Sequence, residues 1–528
     1  MPTGRGGLII VVAADPRTVA DLLESAALTD PDGTALVEGT VEGARQFSRR
    51  ALQERVAATA AGYARAGLTP GDRIVVQVAS GVDFVACYLA GLRAGLVVVP
   101  VNPAYTLPEL RHALSDSAAA GLVTASVAAV SAVDELRRDL PALRQFVVAG
   151  PAAPEGAIEL AELTADAQPV PAVEVGPEDT AVLLYTSGTS GVPKGAMLSH
   201  RALLANLEQI ARIDPPLVSA EDVALVPLPL FHVFGLNAGL GLALHSRATL
   251  VTSERFEPAA ALDLVRSERV TVLLGAPAMF AALAARPDVA EVLAGVRLAL
   301  SGSAPLPVEL VERYAMLGVA LYEGYGLSET APVVTLNLID AAGHTRIGHP
   351  VAGSIGLPIP GVELSLLDVD GEPVDDGDPG QIAVRGANLF SGYWPDSADG
   401  PDADGWFVTG DIAYADQDGE LFLVGRETDM VLVNGFNVYP AEVETALRAS
   451  ADIADVAVVG VPDEATGEAV RAYLVPVTGV RIDPEAVLAD AARSLARFKL
   501  PTQVEIVDSL PLTVTGKVKK WQLTQPEE

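Results

Sequence analysis

Short apolar runs alternate with stretches of helical periodicity along most of this sequence, and this alternation restricts the fold more than any other feature. Between residues 72 and 150 the apolar runs are those at 74–78, 96–101, 121–124 and 146–148. Residues between these runs repeat with helical spacing, as in Phe84, Tyr88 and Leu92. Strands that are separated by helices pair in parallel through right-handed crossovers. The block therefore predicts an α/β fold with a doubly wound sheet.

A second block of the same kind follows a Pro- and Ala-rich stretch at 150–177. Its predicted strands are 181–185, 223–226, 248–252, 271–274, 297–300 and 319–322. After about residue 345 short strands at 362–367, 380–386 and 419–425, joined by Asp-Gly turns, predict a small antiparallel, β-barrel-like subdomain. Beyond about residue 428 a helix from Pro440 and strands near 455–461 and 470–477 predict an α+β unit. We predict a large N-terminal domain, residues 1–427, with two doubly wound sheets and the subdomain, and a small C-terminal domain, residues 428–528.

The composition excludes several classes of protein. Of the 528 residues, 50% are hydrophobic and 20% are charged, which supports more than one packed core and is not typical of a disordered chain. The formal net charge of −33 repels nucleic acid and anionic membranes, so an anionic substrate requires a local set of cations and N–H groups. No apolar run approaches the ~18 residues of a membrane helix. The apolar run at 8–14 is too short for a secretory signal, so secretion is disfavoured.

Cysteine, histidine and lysine are informative because they are scarce. Cys87 is the only cysteine, so no intrachain disulfide can form and a reducing, cytoplasmic location is expected. The six histidines have no metal-binding spacing. Lysine occurs at five positions only, which are 194, 499, 517, 519 and 520. The oligomeric state, monomer or homodimer, is left open by these observations.

The strongest motif is a Gly-, Ser- and Thr-rich segment at residues 185–195, between a predicted strand and a predicted helix. Glycines permit close approach of the backbone, and successive N–H groups and hydroxyls can surround phosphate oxygens. The candidate phosphate-binding residues are Thr186, Ser187, Gly188, Thr189, Ser190, Gly191 and Lys194. Because the spacing differs from that of the GxxxxGK[ST] loop, a standard P-loop NTPase is disfavoured.

This segment resembles the phosphate loop of the adenylate-forming superfamily, which includes acyl-CoA synthetases, luciferases and the adenylation domains of peptide synthetases. Six further segments resemble motifs of that superfamily, in the same order along the chain. They are an acid-pocket segment (228–235), an adenine loop (300–306), a nucleotide and magnesium motif (322–330), a ribose motif (406–411), a hinge (425–440) and a C-terminal lysine motif (511–517). The resemblance covers nearly the whole chain and implies a large adenylation domain followed by a small, mobile C-terminal domain.

The resemblance also implies a role for each matching residue near the reacting groups. Lys517, on the mobile domain, would bridge the acyl carboxylate and the α-phosphate, and His232 would border the carboxylate. Glu329 would hold Mg²⁺, a cation that prefers oxygen ligands, and Thr186 would contribute to the same metal and phosphate site. Ser328 would bond to phosphate oxygens. Lys517, His232 and Glu329 are therefore the candidate catalytic residues.

The same resemblance implies the residues that would hold the nucleotide. Tyr325 would stack on adenine, Asp411 would accept hydrogen bonds from the ribose hydroxyls, and Arg426 would reach ribose or phosphate. The remaining matches are Ser303, Ala304, Pro305 and Gly326 in the nucleotide site and Gly435 in the hinge loop. Since both Gly435 and Lys517 are present, the resemblance implies a complete two-step enzyme that uses ATP, Mg²⁺ and coenzyme A.

The acid-pocket segment bears on the acid that would be activated. Amino-acid-activating members of the superfamily have an aspartate beside the pocket phenylalanine, whereas here His232 follows Phe231, so an amino acid is disfavoured. The glycine-rich run at 234–242 predicts either a helix that lines an acyl tunnel or a helix packed closely against its neighbours. The resemblance thus favours an ATP-dependent acid–CoA ligase, a carbon–sulfur bond-forming enzyme, for a medium- or long-chain fatty acid.

Other functions stay open at this point. An aryl acid of the coumarate type would be an alternative substrate, and a carrier-protein phosphopantetheine arm would be an alternative acceptor, because the thiol chemistry is the same. A binding protein without turnover is disfavoured by the intact motifs, and a serine hydrolase by the lack of a GxSxG motif. Thr428 stands where the superfamily usually has Lys or Asp. A β-branched residue is stiffer, so we expect intact adenylation and a slower thioester step.

Overall fold

A computed structural model gives the fold of the chain. It describes residues 16–41, 43–150, 152–165, 168, 170–186, 193–340, 344–346, 350–433, 436–463, 466–513 and 517–524. The apolar run at 8–14, residues 187–192 of the predicted phosphate loop and Gly435 lie outside these described residues.

The first doubly wound sheet has seven strands. In spatial order they are Ile158–Glu159, Gln145–Val148, Gly121–Thr124, Arg73–Gln77, Val97–Pro100, Thr180–Thr186 and Lys194–Ser199. Neighbours pair in parallel except the last two strands, which are antiparallel. Ile74, Val75 and Val76 are at most 1% exposed, because helices cover both faces of a parallel sheet, and this explains the continuous apolar runs in the sequence.

The second sheet has nine strands and is also mainly parallel. In spatial order they are Leu357–Pro358, Val333–Leu336, Leu321–Gly326, Leu298–Ser301, Val272–Gly275, Val223–Leu225, Thr249–Ser253, Thr34–Thr40 and Gly43–Ser48. The antiparallel pairs are confined to the two edges. The prediction of two doubly wound sheets is therefore confirmed.

Helices connect the strands of both sheets. The α-helices are Val19–Thr29, Arg49–Arg65, Val82–Arg93, Leu107–Asp116, Val127–Ser131, Val133–Asp139, Leu160–Thr164, His200–Ala211, Leu242–Ser246, Pro258–Glu268, Pro277–Ala284, Val289–Val292 and Val308–Met316, with 3₁₀ turns at Leu293–Gly295 and Ser328–Thr330. Thr106 caps the helix Leu107–Asp116: the Glu109 carboxylate accepts the Thr106 backbone N–H at 2.7 Å, and Pro108 lies in the first turn.

Two further sheets follow. The antiparallel subdomain consists of Val362–Leu367, Gly380–Gly386, Trp406–Ala415 and Leu421–Arg426 in sequential order. After a 3₁₀ turn at Glu427–Asp429, the C-terminal sheet has strands Phe436–Val438, Val431–Val433, Gly467–Pro476 and Ile453–Asp463, and Gln503–Ile506 also pairs with Gly467–Pro476. Its helical elements are Pro440–Arg448, Pro484–Ala491, Arg497–Lys499 and Lys520–Leu523.

The hydrophobic cores divide in the same way. One cluster extends from Val19 to Leu421 across both large sheets and the antiparallel subdomain, whereas the main C-terminal cluster extends from Val431 to Leu495 and has no member in common with it. The large N-terminal and small C-terminal parts are thus confirmed, and the boundary at 427/428 stays a prediction. Among the described residues, no helix is both long and apolar enough to span a membrane.

At least three elements differ from the sequence-based expectations. The strand Lys194–Ser199 precedes the helix that was expected to follow the phosphate loop directly, because its apolar residues pair with Thr180–Thr186. Thr34–Thr40 was not predicted and pairs in parallel with Thr249–Ser253, a long-range contact that no local pattern shows. The glycine-rich run forms an eight-residue π-helix, Phe234–Gly241, that is buried throughout.

The glycines of this π-helix lie where neighbouring atoms approach closely. A Cβ on Gly239 would lie 2.8 Å from Val226 Cγ1, and one on Gly235 would lie 2.5 Å from the Pro229 carbonyl oxygen. At these two positions the structure therefore favours the close-packing alternative over open space for a substrate.

Candidate active site

The ends of the predicted phosphate loop are held together by strand pairing. Thr186 and Lys194 lie directly opposite each other at the end of the antiparallel pair. The five loop residues predicted to bind phosphate, which are Ser187, Gly188, Thr189, Ser190 and Gly191, lie outside the described residues. The predicted phosphate loop therefore leaves the sheet at the end of the strand Thr180–Thr186 and re-enters it at the start of the strand Lys194–Ser199.

Lys194 is engaged by two residues of the antiparallel subdomain. Its ammonium lies 3.0 Å from Asp399 Oδ2 and 5.4 Å from the centre of the Tyr393 ring. The Lys194 side chain is 46% exposed, so the ion pair is open to water and replaceable by another anion.

Glu329 is a buried carboxylate that is anchored at two points. It lies in the 3₁₀ turn Ser328–Thr330 and is 8% exposed. Tyr393 donates its hydroxyl hydrogen to Glu329 Oε1 at 2.5 Å, and the Phe390 backbone N–H donates to the Glu329 carbonyl at 2.9 Å. Burial, reinforced by Glu329 itself, raises the pKa of Tyr393 far above its usual value, so the tyrosine stays a donor at neutral pH.

The predicted adenine loop follows the strand Leu298–Ser301. Ser303 has a left-handed backbone with φ of 74°, a conformation uncommon for residues other than glycine. The loop continues through Ala304 and Pro305 to Leu306, whose backbone N–H donates to Glu323 Oε1 at 3.1 Å. Glu323 is 4% exposed, and burial raises its pKa to about 8.

Tyr325, Asp411 and Arg426 form one hydrogen-bonded group. Tyr325 donates its hydroxyl hydrogen to Asp411 Oδ2 at 2.7 Å, and Arg426 Nε donates to Asp411 Oδ1 at 2.8 Å. Asp411 and Arg426 are register partners on adjacent strands. Gly326 follows Tyr325 where a Cβ would clash with the Pro332 carbonyl oxygen, so glycine is required there.

Lys517 reaches this group from the C-terminal part of the chain. Its backbone N–H donates to Thr513 Oγ1 at 3.0 Å, and the Thr513 N–H donates to the Lys517 carbonyl at 2.7 Å. Lys517 is exposed as a whole residue, but its ammonium is largely surrounded by protein atoms. That burial and the charge of Arg426 lower the pKa of Lys517, whereas Asp411 and Glu329 act in the opposite direction.

His232 is close enough to the Lys517 ammonium for the positive charge to act on its pKa. Burial, reinforced by the positive charge of Lys517, lowers the pKa of His232 to about 4. The imidazole is therefore neutral at physiological pH and can border an anionic carboxylate without forming a competing ion pair. The charges of Arg426, Asp411 and Glu329 thus act on the pKa of Lys517, and the charge of Lys517 acts on that of His232. Asp411 and Arg426 are in direct contact.

The donor set near Glu329 has the character of a nucleotide-dependent Mg²⁺ site. No group of three or more His, Cys, Asp or Glu side chains that could hold a metal occurs within the described residues. Mg²⁺ commonly binds through one or two carboxylates with waters and substrate phosphates. One buried carboxylate, whose partner Tyr393 also contacts Lys194, fits that mode.

Several residues of the site were not predicted from the sequence. Tyr393 belongs to none of the motifs named above, and its contact with Glu329 is what reveals a role. Asp399 and Glu323 carry no sequence signal, since one is an exposed loop carboxylate and the other precedes Tyr325 by two positions on the same strand. Ser328 lies beside Glu329 in the same turn, but no hydrogen bond of its side chain to a described residue is present.

Comparison with known protein families identifies the chain. The AMP-binding enzyme family matches residues 23–394, and the AMP-binding enzyme C-terminal domain matches residues 442–517. The chain belongs to the AMP-binding enzyme family, so the resemblance to adenylate-forming enzymes is confirmed.

Individual relatives agree with this assignment. A feruloyl-CoA synthase of Amycolatopsis is 38% identical over 89% of this chain and 92% of its own length. A long-chain-fatty-acid–CoA ligase of Yersinia pestis is 36% identical over 97% of this chain and 94% of its own length. The crystal structure of ATP-bound MatB from Rhodopseudomonas palustris superposes with a TM-score of 0.87 at 33% identity, covering 96% of this chain and 98% of that protein. The predicted enzyme class, an acid–thiol ligase, is confirmed.

Proposed function

We propose that this protein is an ATP-dependent acid–CoA ligase that activates a medium- or long-chain fatty acid as its adenylate and then forms the acyl-CoA thioester. The observation that carries the proposal is the position of the Lys517 ammonium, which is electrostatically coupled to Glu329, Asp411 and Arg426 and to the neutral His232. A cation between a nucleotide site and an uncharged pocket wall suits a carboxylate that attacks a phosphate.

In the first step a carboxylate oxygen forms a bond to the α-phosphorus of ATP while the bond to pyrophosphate breaks. Lys517 offsets the negative charge of the two approaching anions with its three donors. Tyr325, Asp411 and Arg426 hold adenine and ribose, while Lys194 binds the phosphates. In the second step the thiol attacks the acyl carbonyl carbon, AMP leaves, and the thiol proton is released.

Mg²⁺ would be held by Glu329, with the Thr186 hydroxyl beside the phosphates, and would offset charge on the phosphate oxygens. Tyr393 keeps the Glu329 carboxylate oriented, as its hydrogen bond of 2.5 Å indicates. Burial of Glu329, which is 8% exposed, limits access of bulk water to this carboxylate.

A small apolar cavity lies beside the π-helix, and the proposed fatty acid tail would widen it on binding, because the cavity as it stands has room for little more than one water molecule. Its lining includes Ala238 and Leu242, from the π-helix and the helix that follows it, and Leu300 from the strand before the adenine loop. Phe234 lies one turn before Ala238 and packs against Gly302. Among the described residues, the lining of the cavity is entirely apolar and includes none of the segment that carries His232. Apolar walls favour an alkyl chain over a polar acid.

Pyrophosphate release tests the proposed function. The full-length protein is incubated with ATP, Mg²⁺ and either fatty acids of increasing length or aryl acids, with and without coenzyme A. We expect release that peaks on one fatty acid and becomes catalytic only with coenzyme A. A maximum on feruloyl-type acids would contradict the fatty acid assignment and support an aryl-acid ligase, as in the feruloyl-CoA synthase relative. A single burst unaffected by coenzyme A would point to a carrier-protein acceptor.

Two substitutions with opposite expected effects test the cavity. Ala238→Leu fills it and is expected to shift the preferred acid to a shorter chain, whereas Leu242→Ala enlarges it and is expected to favour a longer chain. The chain-length profile of pyrophosphate release is the measurement, and thermal unfolding checks that both variants are folded. Unchanged profiles in two folded variants would show that the tail binds elsewhere.

A further inference from the structure

One segment of the antiparallel subdomain contacts both charged groups of the phosphate site. It begins at Tyr393 and ends at Asp399, between the strands Gly380–Gly386 and Trp406–Ala415. Tyr393 contacts Glu329 and Lys194, and Asp399 contacts Lys194. The segment is therefore placed to influence how a phosphate and its cation bind.

Tyr393 fixes the orientation of the Glu329 carboxylate. Its hydroxyl donates to Oε1 at 2.5 Å, and its ring packs edge-on against Phe390, with ring centres 5.1 Å apart. Phe390 in turn donates its backbone N–H to the Glu329 carbonyl at 2.9 Å. One carboxylate oxygen is thus committed to the tyrosine, and within the described residues Oε2 has no hydrogen-bond partner and is left for a cation.

Asp399 reaches Lys194 through an unusual backbone. Ser397 and Asp399 have φ values of 63° and 52°, in the left-handed region that residues other than glycine rarely adopt. Such conformations persist where the surrounding structure holds them, and they are concentrated at ligand clamps and switches. Here this conformation accompanies a carboxylate 3.0 Å from the Lys194 ammonium.

We propose that the segment 393–399 positions the phosphate site: Tyr393 orients Glu329 for the cation that accompanies the nucleotide, and Asp399 holds Lys194 until a nucleotide phosphate displaces it. The proposal rests on the proposed function only in that a metal–nucleotide is the ligand, and it does not depend on which acid is activated.

The two residues have opposite effects on binding. Without the Tyr393 hydroxyl, Glu329 loses the partner that orients it, and loss of such a supporting contact typically weakens metal affinity by about tenfold or more. Without the Asp399 charge, Lys194 is free for the phosphates and a like charge is removed from their neighbourhood. An exposed ion pair of this kind accounts for about two- to fivefold in affinity.

Isothermal titration calorimetry on the full-length protein tests the proposal without any acid. One probe is α,β-methylene-ATP, an analogue that cannot release pyrophosphate, together with Mn²⁺. The other probe is AMP without metal. We expect Tyr393→Phe to weaken binding of the metal–nucleotide about tenfold and Asp399→Asn to strengthen it about two- to fivefold. Neither variant should change the affinity for AMP, which lacks the β- and γ-phosphates.

Two control variants remove the same groups elsewhere. Tyr314→Phe removes a buried hydroxyl that donates to the Phe280 carbonyl at 2.9 Å, and Asp404→Asn removes an exposed carboxylate on a neighbouring turn. Both controls should bind the two probes as the wild type does. Asp399 is exposed, so its variant is expected to fold even if Tyr393→Phe proves unstable.

Three results would overturn the proposal. Equal loss of AMP and metal–nucleotide affinity in Tyr393→Phe would indicate a purely structural tyrosine. Weaker binding in Asp399→Asn would mean that the carboxylate supports the ligand and does not compete with it. Unchanged binding in both variants would remove the segment from the site. If the wild type binds the metal–nucleotide but releases no pyrophosphate with any acid, the proposed function fails while this inference stands.

Discussion

The charge of Asp411 acts on Lys517, but the two residues are held in place very differently. Asp411 is 7% exposed and accepts hydrogen bonds from Tyr325 and Arg426. Lys517 lies on a short hairpin that is closed by the Leu512–Val518 bridge and by Thr513. The nucleotide residues are thus held by the large N-terminal part and its buried core. The lysine, by contrast, is a single long side chain that extends from the C-terminal part, which has a hydrophobic core of its own.

This difference indicates how the two steps can share one site. The main core clusters of the two parts have no residue in common. Under the proposed function, the large part would stay a preformed nucleotide site while movement of the small part supplies or withdraws the lysine. Each of the following experiments would contradict or refine this division of roles.

The largest effect is expected from Lys517→Ala. Removal of the ammonium leaves the attack on the α-phosphate without its mobile cation, so adenylation should fall by at least about 10²-fold. The unfolding temperature should change little, because Lys517 belongs to neither hydrophobic core. The measurement is acid-dependent exchange of pyrophosphate into ATP, and Lys519→Ala is the matched control. Full exchange in the Lys517 variant would mean that the large part suffices for adenylation.

A smaller effect is expected at the junction of the two parts. Thr428 lies in the 3₁₀ turn between the antiparallel subdomain and the C-terminal sheet, where a β-branched residue restricts backbone motion. Thr428→Lys should speed the thioester step a few-fold and leave adenylation unchanged. The rate of the thioester step is measured as single-turnover transfer from the preformed adenylate to coenzyme A. An unaltered transfer rate would mean that Thr428 does not limit this step.

A third effect is on stability and not on turnover, and it concerns the pH dependence of the free energy of unfolding of the large part. His200 is 2% exposed, and burial lowers its pKa to about 4, although Asp179 and Asp21 act in the opposite direction. The unfolded chain binds this proton near pH 6.5, so the stabilisation is complete above that pH and is lost as the pH falls towards 4. The loss is on the order of 3 kcal/mol.

His200→Leu should therefore reduce the fall in the free energy of unfolding between pH 6.5 and 4, as measured by urea denaturation. His344→Asn, at an exposed position, should keep the wild-type dependence. If the free energy of unfolding depends equally on pH in the wild type and both variants, the acid sensitivity does not originate from His200.

Local patterns predicted much of the fold because both large sheets are built from short-range strand–helix units. The capped helix after Thr106 and the buried strand at 73–77 follow from the residues themselves. The pairing of Thr34–Thr40 with Thr249–Ser253 could not be predicted, since it joins segments that are far apart in sequence. The π-helix also escaped prediction, because apolar residues and glycines at 234–241 are equally compatible with an α-helix.

The residues of the candidate site also fall into a group that local sequence predicts and a group that it does not. Asp411, Glu329 and Lys517 stand in motifs whose order along the chain carries the resemblance, so they could be identified without coordinates. Tyr393 and Asp399 act through contacts with Glu329 and Lys194 across the fold. A contact between a subdomain loop and a sheet edge depends on the packing of whole elements, and no local spacing in the sequence reports it.

The distribution of lysine has a practical consequence for chemical labelling. Of the five lysines, Lys194 and Lys517 belong to the candidate site, and the other three lie in the C-terminal part. A reagent that attacks side-chain amines therefore reports on the site or on the small domain, and Lys194 is the one lysine target in the first 498 residues. Coupling to a surface through the other lysines would tether the molecule by its C-terminal part, whereas coupling through Lys194 would occupy the candidate phosphate site.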